Sequence, residues 1–323
     1  MDKFKKIGLS ALCGSLAAVA SANAGTMDVM GSATATWAKN SKDVTGNPIG
    51  LNSGLTFKGS GELDNGNTFS LEIAHDDQNA WSAAQISMDV AGIGTIKLDN
   101  GGGTGIDRLD DKMPSAKEES YDTGISSGMV TVTGAGGSTD IEWTVDSGMV
   151  PVDGLAAYIS YSPRADGTAA KDKAGGGAAN SHKGSGWDVV LEYAGIMDGL
   201  NVFGGYSVVD QESAKHSGDL QSKVLGATYA IGGITVGYQY SKETIGAHAG
   251  TNYYENDAFG ISFNVNDDLS ISYGVHQSDR KIDAGTSVEL ETESMQLAYS
   301  LGGATIAVAQ SEANNAAYSA NTD

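Results

Sequence analysis

The 323-residue sequence has a single cysteine, Cys13, and is short of basic residues, with 19 Lys and Arg against 40 Asp and Glu. It also lacks any apolar run of the roughly 20 residues that a helix needs to cross a bilayer. Each shortage excludes a class. Cys13 lies in an N-terminal segment that the sequence marks for removal, so the mature chain has no thiol, and disulfides and Cys-ligated metals are excluded. Setting residues 1–24 aside removes one acid and three bases and leaves 39 against 16, a net charge of −23. Such a chain repels nucleic acid and anionic surfaces and favours cations nearby.

The N-terminal segment itself has the form of a secretory signal peptide. Lys3, Lys5 and Lys6 precede an apolar stretch from Ile7 to Ala20, and Ala22-Asn23-Ala24 offers a small-x-small cleavage site. The expected organisation is a signal peptide over 1–24 and one domain over 25–323. The protein is therefore exported.

Forty-five glycines and four prolines raise the question of low complexity, and the pattern of the apolar residues answers it. From Thr26 onward apolar residues recur at every second position, the period of a strand with two unlike faces. Val29, Ala33, Ala35 and Trp37 oppose Asp28, Ser32, Thr34 and Thr36; Phe69, Leu71 and Ile73 oppose Ser70 and Glu72. The pattern returns through Trp187 to Tyr193, Leu225 to Ile231, Phe259 to Val265 and Met295 to Leu301, giving about fifteen strands. Helical periodicity is absent.

The connections alternate in length. Tight Asn, Asp and Gly turns such as Asp64 to Asn67 and Asn266 to Asp268 close hairpins. Between them fall longer polar links: Lys39 to Asn47, Asn100 to Gly124, Arg164 to Ser185, Asp210 to Asp219, Lys242 to Asn252 and Ser278 to Ser287. One end of the sheet is trimmed and the other elaborated.

An antiparallel sheet with one apolar face can form a soluble sandwich or a membrane cylinder. The export signal, the short-turn and long-loop asymmetry, and aromatic residues near strand ends (Trp37, Phe69, Tyr161, Trp187, Tyr193, Tyr240) together favour the cylinder. Backbone amides find no partner in hydrocarbon, so a sheet that spans it must pair its strands all round. With this many strands the interior is too wide to fill with side chains, and it holds water. The expected fold is an all-β, transmembrane, antiparallel up-and-down β-barrel.

At this point the residues resemble the Gram-negative general porins, especially their alphaproteobacterial branch. The likeness is carried by "KKIGLSAL", "GTMDVMGSATATW", "GELDNGNTFSLEI" and "AGIGTIKLDNGGG" followed by a long acidic segment, and it runs from Lys5 to Gln310. The resemblance implies a sixteen-strand barrel in the bacterial outer membrane, a homotrimer, and passive diffusion of small hydrophilic solutes. It also implies that Asn100 to Gly124 is a third external loop bent into the lumen as a constriction. Against that pattern the sequence stops at "AAYSANTD". About fifteen strands are then present, the closing strand is missing, and an unpaired seam is expected between the first and last.

Within this reading the acids Asp107, Asp110, Asp111, Glu118 and Glu119, with Arg108, are the candidate constriction ring. The family places bases on the facing wall, and inward parity offers Lys58 and Lys97. Acids exceed bases in the loop and in the chain, so a modest cation preference is expected. No cofactor is expected; Asp107, Asp110 and Asp111 with neighbouring carbonyls are weak candidates for a structural calcium ion. The glycines of 101–105 suggest a phosphate cradle, but the Lys-Ser/Thr pair such a cradle needs is missing and the following acids repel phosphate.

The alternatives are a substrate-selective outer-membrane channel, a barrel hydrolase, or a secreted surface β protein. His75, His182, His216, His248 and His276 fall in predicted loops or at strand ends, without a nucleophile motif nearby, so no enzyme is expected. Tyr158 and Phe203 point inward by parity, too few to form an aromatic slide for sugars.

Overall fold

The computed structural model describes residues 26–38, 47–76, 81–165, 183–211, 218–248, 251–282 and 287–320. The expected signal peptide, most of the links at 39–47, 164–185 and 210–219, and His182 and His216 lie outside the described residues. Fifteen strands run in chain order: β1 (Thr26–Trp37), β2 (Ile49–Glu62), β3 (Thr68–Asp76), β4 (Trp81–Val90), β5 (Gly94–Asp99), β6 (Asp140–Val145), β7 (Leu155–Ser162), β8 (Lys183–Tyr193), β9 (Leu200–Gln211), β10 (Leu220–Ile231), β11 (Ile234–His248), β12 (Thr251–Asn264), β13 (Leu269–Ile282), β14 (Val288–Ser300) and β15 (Thr305–Asn314). Every strand is bonded to its sequence neighbours in one sheet ordered β1 to β15. The architecture is the expected antiparallel up-and-down one.

Period-two alternation produces this sheet because each register puts like with like. Leu98 faces Ile141, Ile141 faces Tyr161, and Tyr161 faces Trp187 along the outer surface. On the inner surface Lys97 faces Glu142, Glu142 faces Ser160, and Ser160 faces Asp188. A slip of one residue would turn every one of these side chains to the wrong solvent. The hairpin Asp64 to Asn67 shows how the short turns lock the register. Gly66 takes φ +84°, a left-handed conformation that favours glycine, and Asn65 Oδ1 accepts the Asn67 N–H at 3.1 Å.

The two faces have exchanged the environments they would have in a water-soluble protein. Leu55, Ile86, Leu98, Ile159, Leu191, Leu225, Phe259 and Val308 are exposed, whereas Asp99, Glu142, Ser160, Asp188, Ser207, Ser222 and Thr292 are almost wholly buried. Apolar side chains on the outside gain their transfer free energy only if hydrocarbon surrounds them, at about 25 cal/mol per Å². Trp37, Tyr161 and Trp187 are likewise outward and exposed. Among the described residues β1 is hydrogen-bonded only to β2, and β15 only to β14.

Three expectations need correction. The link Lys242 to Asn252 is mostly strand, and β13 carries the ladder into the first half of Ser278 to Ser287, of which 283–286 lie outside the described residues. The reason is the length of β11 to β14, which run 15, 14, 14 and 13 residues. Their upper ends carry polar residues on both faces, with Lys242 facing Glu255 and Glu255 facing Asp279, so the sequence reads as loop where the ladder continues beyond the apolar band. Second, His276 is neither in a loop nor at a strand end; it lies within β13 and is 6% exposed, facing inward. Third, the polar link after β5 does not end at Gly124. It continues to Thr139, because "MVTVT" at 129–133, although it alternates, joins no ladder.

Candidate functional site

Residues 100–139 leave β5, fold into the interior of the sheet and return to β6. Their hydrogen bonds reach β4 through Asn100, β6 and β8 through the turn at 104–106, β13 and β14 through 116–120, and β15 through Thr123. The segment thus follows the inner wall.

Its first turn is built by glycines, and for a reason that reverses the phosphate reading. The loop does wrap its N–H groups around anions, but the anions are the protein's own carboxylates. Gly101 N–H donates to Asp99 at 2.5 Å, Gly103 N–H to Asp107 at 2.7 Å, Gly105 N–H to Glu142 at 2.8 Å and Ile106 N–H to Asp188 at 3.0 Å. Asp188 also accepts from Ala135 and Gly136 on the returning limb, at 3.0 and 2.9 Å, so one buried carboxylate ties both limbs to β8. Side chain-free positions are needed there: Gly105 (φ +50°) and Gly134 (φ +55°) both lie against that carboxylate.

The short 3-10 turn Gly105–Leu109 then presents Ile106 and Leu109 to the wall. They pack with Met113 and Val132 on Val190, Phe203, Val224 and Ala258, with Tyr158 at the margin. Burying such side chains contributes about 1.5–3 kcal/mol each. Phe203 and Tyr158 point inward as parity placed them; the loop covers Phe203 and leaves Tyr158 half-buried at its margin. The interior has an apolar anchor exactly where inward parity on β8, β9, β10 and β12 changes from polar to Val, Phe, Val and Ala.

Two of the loop's three bases serve as tethers. Arg108 donates to both Glu142 oxygens at 2.5 and 2.6 Å and stacks on Tyr158 at 3.7 Å, and Lys112 pairs with Glu192 at 3.0 Å. Among the described residues, no Lys or Arg forms an ion pair with Asp107, Asp110, Asp111, Glu118 or Glu119. Asp111 and Glu118 are exposed, Asp107 and Asp110 half-buried, and Glu119 buried. Burial, then Gly103's opposing N–H bond and repulsion from Asp111, leave the Asp107 carboxyl pushed up to about 6. Burial and the neighbouring Asp111 push Asp110 up to about 7. Glu119 is raised by burial and then by Asp111, and Glu118 by burial and then by Asp122. Tyr121, which donates to Asp111 at 3.3 Å, is held neutral by burial and by the surrounding carboxylates.

The remaining candidates stand apart from the loop's acids. Lys58 on β2 pairs with Glu72 at 2.8 Å and, with Asp28, Ser60, Ser70 and Gln85, lines an open recess of about 310 Å³ on the inner side of β1 to β4. Lys97 pairs with Asp99 at 3.4 Å at the root of the loop. Asp107, Asp110 and Asp111 do not converge: among the described residues no three His, Cys, Asp or Glu side chains have an arrangement that holds a metal ion.

Asp188 and Glu142 do not stand out in the sequence, because nothing in a strand pattern says which carboxylate a distant loop will use. The His276 contact was missed for the same reason. Its Nδ1 lies 2.8 Å from Ser120 Oγ, which also donates to the Thr292 carbonyl at 3.1 Å.

Residues 8–319 match the family model of the Gram-negative porin. Among curated proteins nothing matches. Solved structures with a similar fold include OmpF of Salmonella typhi in complex with daunomycin, at 16% identity and TM-score 0.60, with 89% of this chain and 90% of that chain covered. OmpT, an outer membrane protein of Vibrio cholerae, aligns at 11% identity and TM-score 0.60, covering 90% of this chain and 87% of that one. A mutant of the Rh. blastica porin aligns at 16% identity and TM-score 0.54, covering 90% and 96%. These likenesses concern the fold.

Proposed function

The chain belongs to the Gram-negative porin family and is an outer-membrane channel protein, not an enzyme, and from that premise we propose a cation-preferring diffusion pore constricted by residues 100–139. Small hydrophilic solutes and ions pass between the inserted segment and the wall that carries Lys58 and Lys97. The proposed functional unit is a homotrimer, delivered by a signal peptide over 1–24.

The observation that carries the ionic preference is the division of labour within the loop. Arg108 and Lys112 are neutralised by Glu142 and Glu192, which leaves Lys117 as the loop's one other base against the acids Asp107, Asp110, Asp111, Glu118 and Glu119, of which Asp111 and Glu118 are exposed. A field of that sign concentrates cations at the narrowest ring. Reversal potentials across a KCl gradient, with the protein refolded in a planar bilayer, are expected to show cations passing more readily than anions. Asp107→Asn, Asp110→Asn and Asp111→Asn combined should move the ratio most of the way to unity. An anion preference in the unaltered protein defeats the assignment.

The raised carboxyls add a pH dependence. Below about 6 the Asp107 and Asp110 carboxyls are neutral; as pH rises through about 6 and about 7 each gains a negative charge. Cation preference is therefore expected to climb between pH 5 and pH 8. The linkage to stability runs the opposite way: groups whose folded values are raised favour the folded loop at low pH and lose that contribution as pH passes those values. A selectivity that stays flat over this window would show that these two carboxyls do not face the ions.

A further inference from the structure

Between the Lys112 tether and the hydrogen bond from Ala116 N–H to Ser272 Oγ at 2.8 Å, the inserted segment is held by shape alone. Its middle residue, Pro114, has no N–H to donate, and it rests on two glycines. Gly237 on β11 and Gly260 on β12 are directly opposite one another in the ladder. Gln239 and Ala258, two residues along each strand, are buried inside, so both glycines face the interior. A β-carbon on Gly237 would stand 2.6 Å from Pro114 Cδ and 3.2 Å from Met113 Sδ. One on Gly260 would stand 2.8 Å from the Pro114 carbonyl oxygen and 3.0 Å from both its nitrogen and its Cδ.

Neither glycine has the positive φ that would call for glycine on conformational grounds. Glycine weakens a strand interior and leaves nothing to pack across the ladder. Space for Pro114 is thus what the pair provides. The ladder on which they sit is continuous from β10 to β13, so an added methyl cannot be absorbed by the wall. The segment must give way, and the direction open to it is the lumen.

We propose that Gly237 and Gly260 form a seat that fixes how deeply the inserted segment lies against the wall, and so set the width of the channel. They are positioning residues, acting through Pro114. The proposal rests on the reading of residues 100–139 as the constriction. It also carries an asymmetry. Gly237 meets Pro114 only through the proline ring, which Pro114→Ala removes; Gly260 meets the ring as well, but its nearest contact is the Pro114 carbonyl oxygen, which that substitution leaves in place.

The test uses the full chain with Cys13→Ser, refolded in bilayers, and reads two quantities. Single-channel conductance is measured for Gly237→Ala and Gly260→Ala, each with and without Pro114→Ala. Distances between spin labels at Ser115→Cys and Ser60→Cys are measured with Gly237→Val and Gly260→Val. The expected result is that each glycine-to-alanine change lowers conductance to roughly half, that Pro114→Ala restores the Gly237 variant more fully than the Gly260 variant, where the carbonyl contact remains, and that both valine variants shorten the label distance. Pro114→Ala alone takes the ring away from both glycines and leaves an N–H in its place, and it is expected to lengthen that distance. Unchanged label distances, or rescue of both glycine variants alike, would overturn the seat. Distances that shorten while conductance stays constant would leave the seat standing and overturn the constriction reading beneath it.

Discussion

Asp188→Asn is expected to release the inserted segment from the wall while leaving the barrel folded. The carboxylate is fully buried, and its two oxygens accept three backbone N–H groups, from Ile106 at 3.0 Å, Ala135 at 3.0 Å and Gly136 at 2.9 Å. Asparagine keeps the shape but has one oxygen and one NH2 group. Whichever way the amide turns, at least one main-chain N–H is left facing another N–H. A buried donor without a partner costs about 1–3 kcal/mol, and losing the charge from the other bonds adds to that. A total of about 3 kcal/mol corresponds to a rise of roughly a hundredfold in the open population of the loop. Hydrogen exchange of the amides at 104–110 and 132–137 is expected to accelerate by about that factor, with strand amides unaffected. Conductance should become higher and noisier, since the limb no longer holds one position. Exchange that remains as slow as in the unaltered protein would mean that the apolar anchor of Ile106, Leu109 and Phe203 suffices alone, and that Asp188 is incidental.

The fold was legible because a membrane barrel writes itself into sequence as a simple rule. Every second residue meets hydrocarbon, so Leu98, Ile141, Tyr161 and Trp187 can be placed on one surface without knowing their neighbours. That rule fails where a strand rises out of the apolar band. Glu255 and Asp279 are as outward as Phe259 and Val275, but water makes no demand on their polarity, and the upper halves of β12 and β13 consequently read as loop. The site was legible only in outline. The stretch from Asn100 to Gly124, without periodicity, announced an inserted segment, and its surplus of acids announced a charged one. The attachments were hidden because they join positions far apart in the chain: Gly105 to Glu142, Ile106 to Asp188, Ser120 to His276, Lys117 to Gln296. One signal was present and went unused. On β8, β9 and β10 the inward positions Val190, Phe203 and Val224 are apolar where neighbouring inward positions are Asp188, Ser207 and Ser222. Apolar side chains facing a water-filled lumen are unfavourable unless something covers them, and their shared level across the sheet marked where the loop had to lie.

The ion pair beneath that anchor gives the second large effect. Arg108 is largely buried and Glu142 almost wholly so, with both carboxylate oxygens within 2.6 Å of the same guanidinium nitrogen. Desolvating the two charges offsets most of their attraction, so the pair as a whole contributes little to net stability, but removing one partner strands the other. Arg108→Met is therefore expected to cost about 3–5 kcal/mol of loop stability. Glu142 would retain only the N–H of Gly105 at 2.8 Å and the Ser160 hydroxyl at 3.3 Å for its charge. Arg108→Met combined with Glu142→Gln should recover much of that loss, because the glutamine is neutral and still accepts from Gly105. A double-mutant cycle read by loop hydrogen exchange measures the coupling directly. The ionic consequence separates two roles that stability alone would confuse. If Arg108 acted as a free charge of the constriction, the double variant, which removes one charge of each sign, would shift the reversal potential markedly. Because the guanidinium is already neutralised against the wall, the double variant should keep the selectivity of the unaltered protein while the single variant, where its loop stays in place, becomes more cation-preferring. A double variant with changed selectivity would show that Arg108 faces the ions after all.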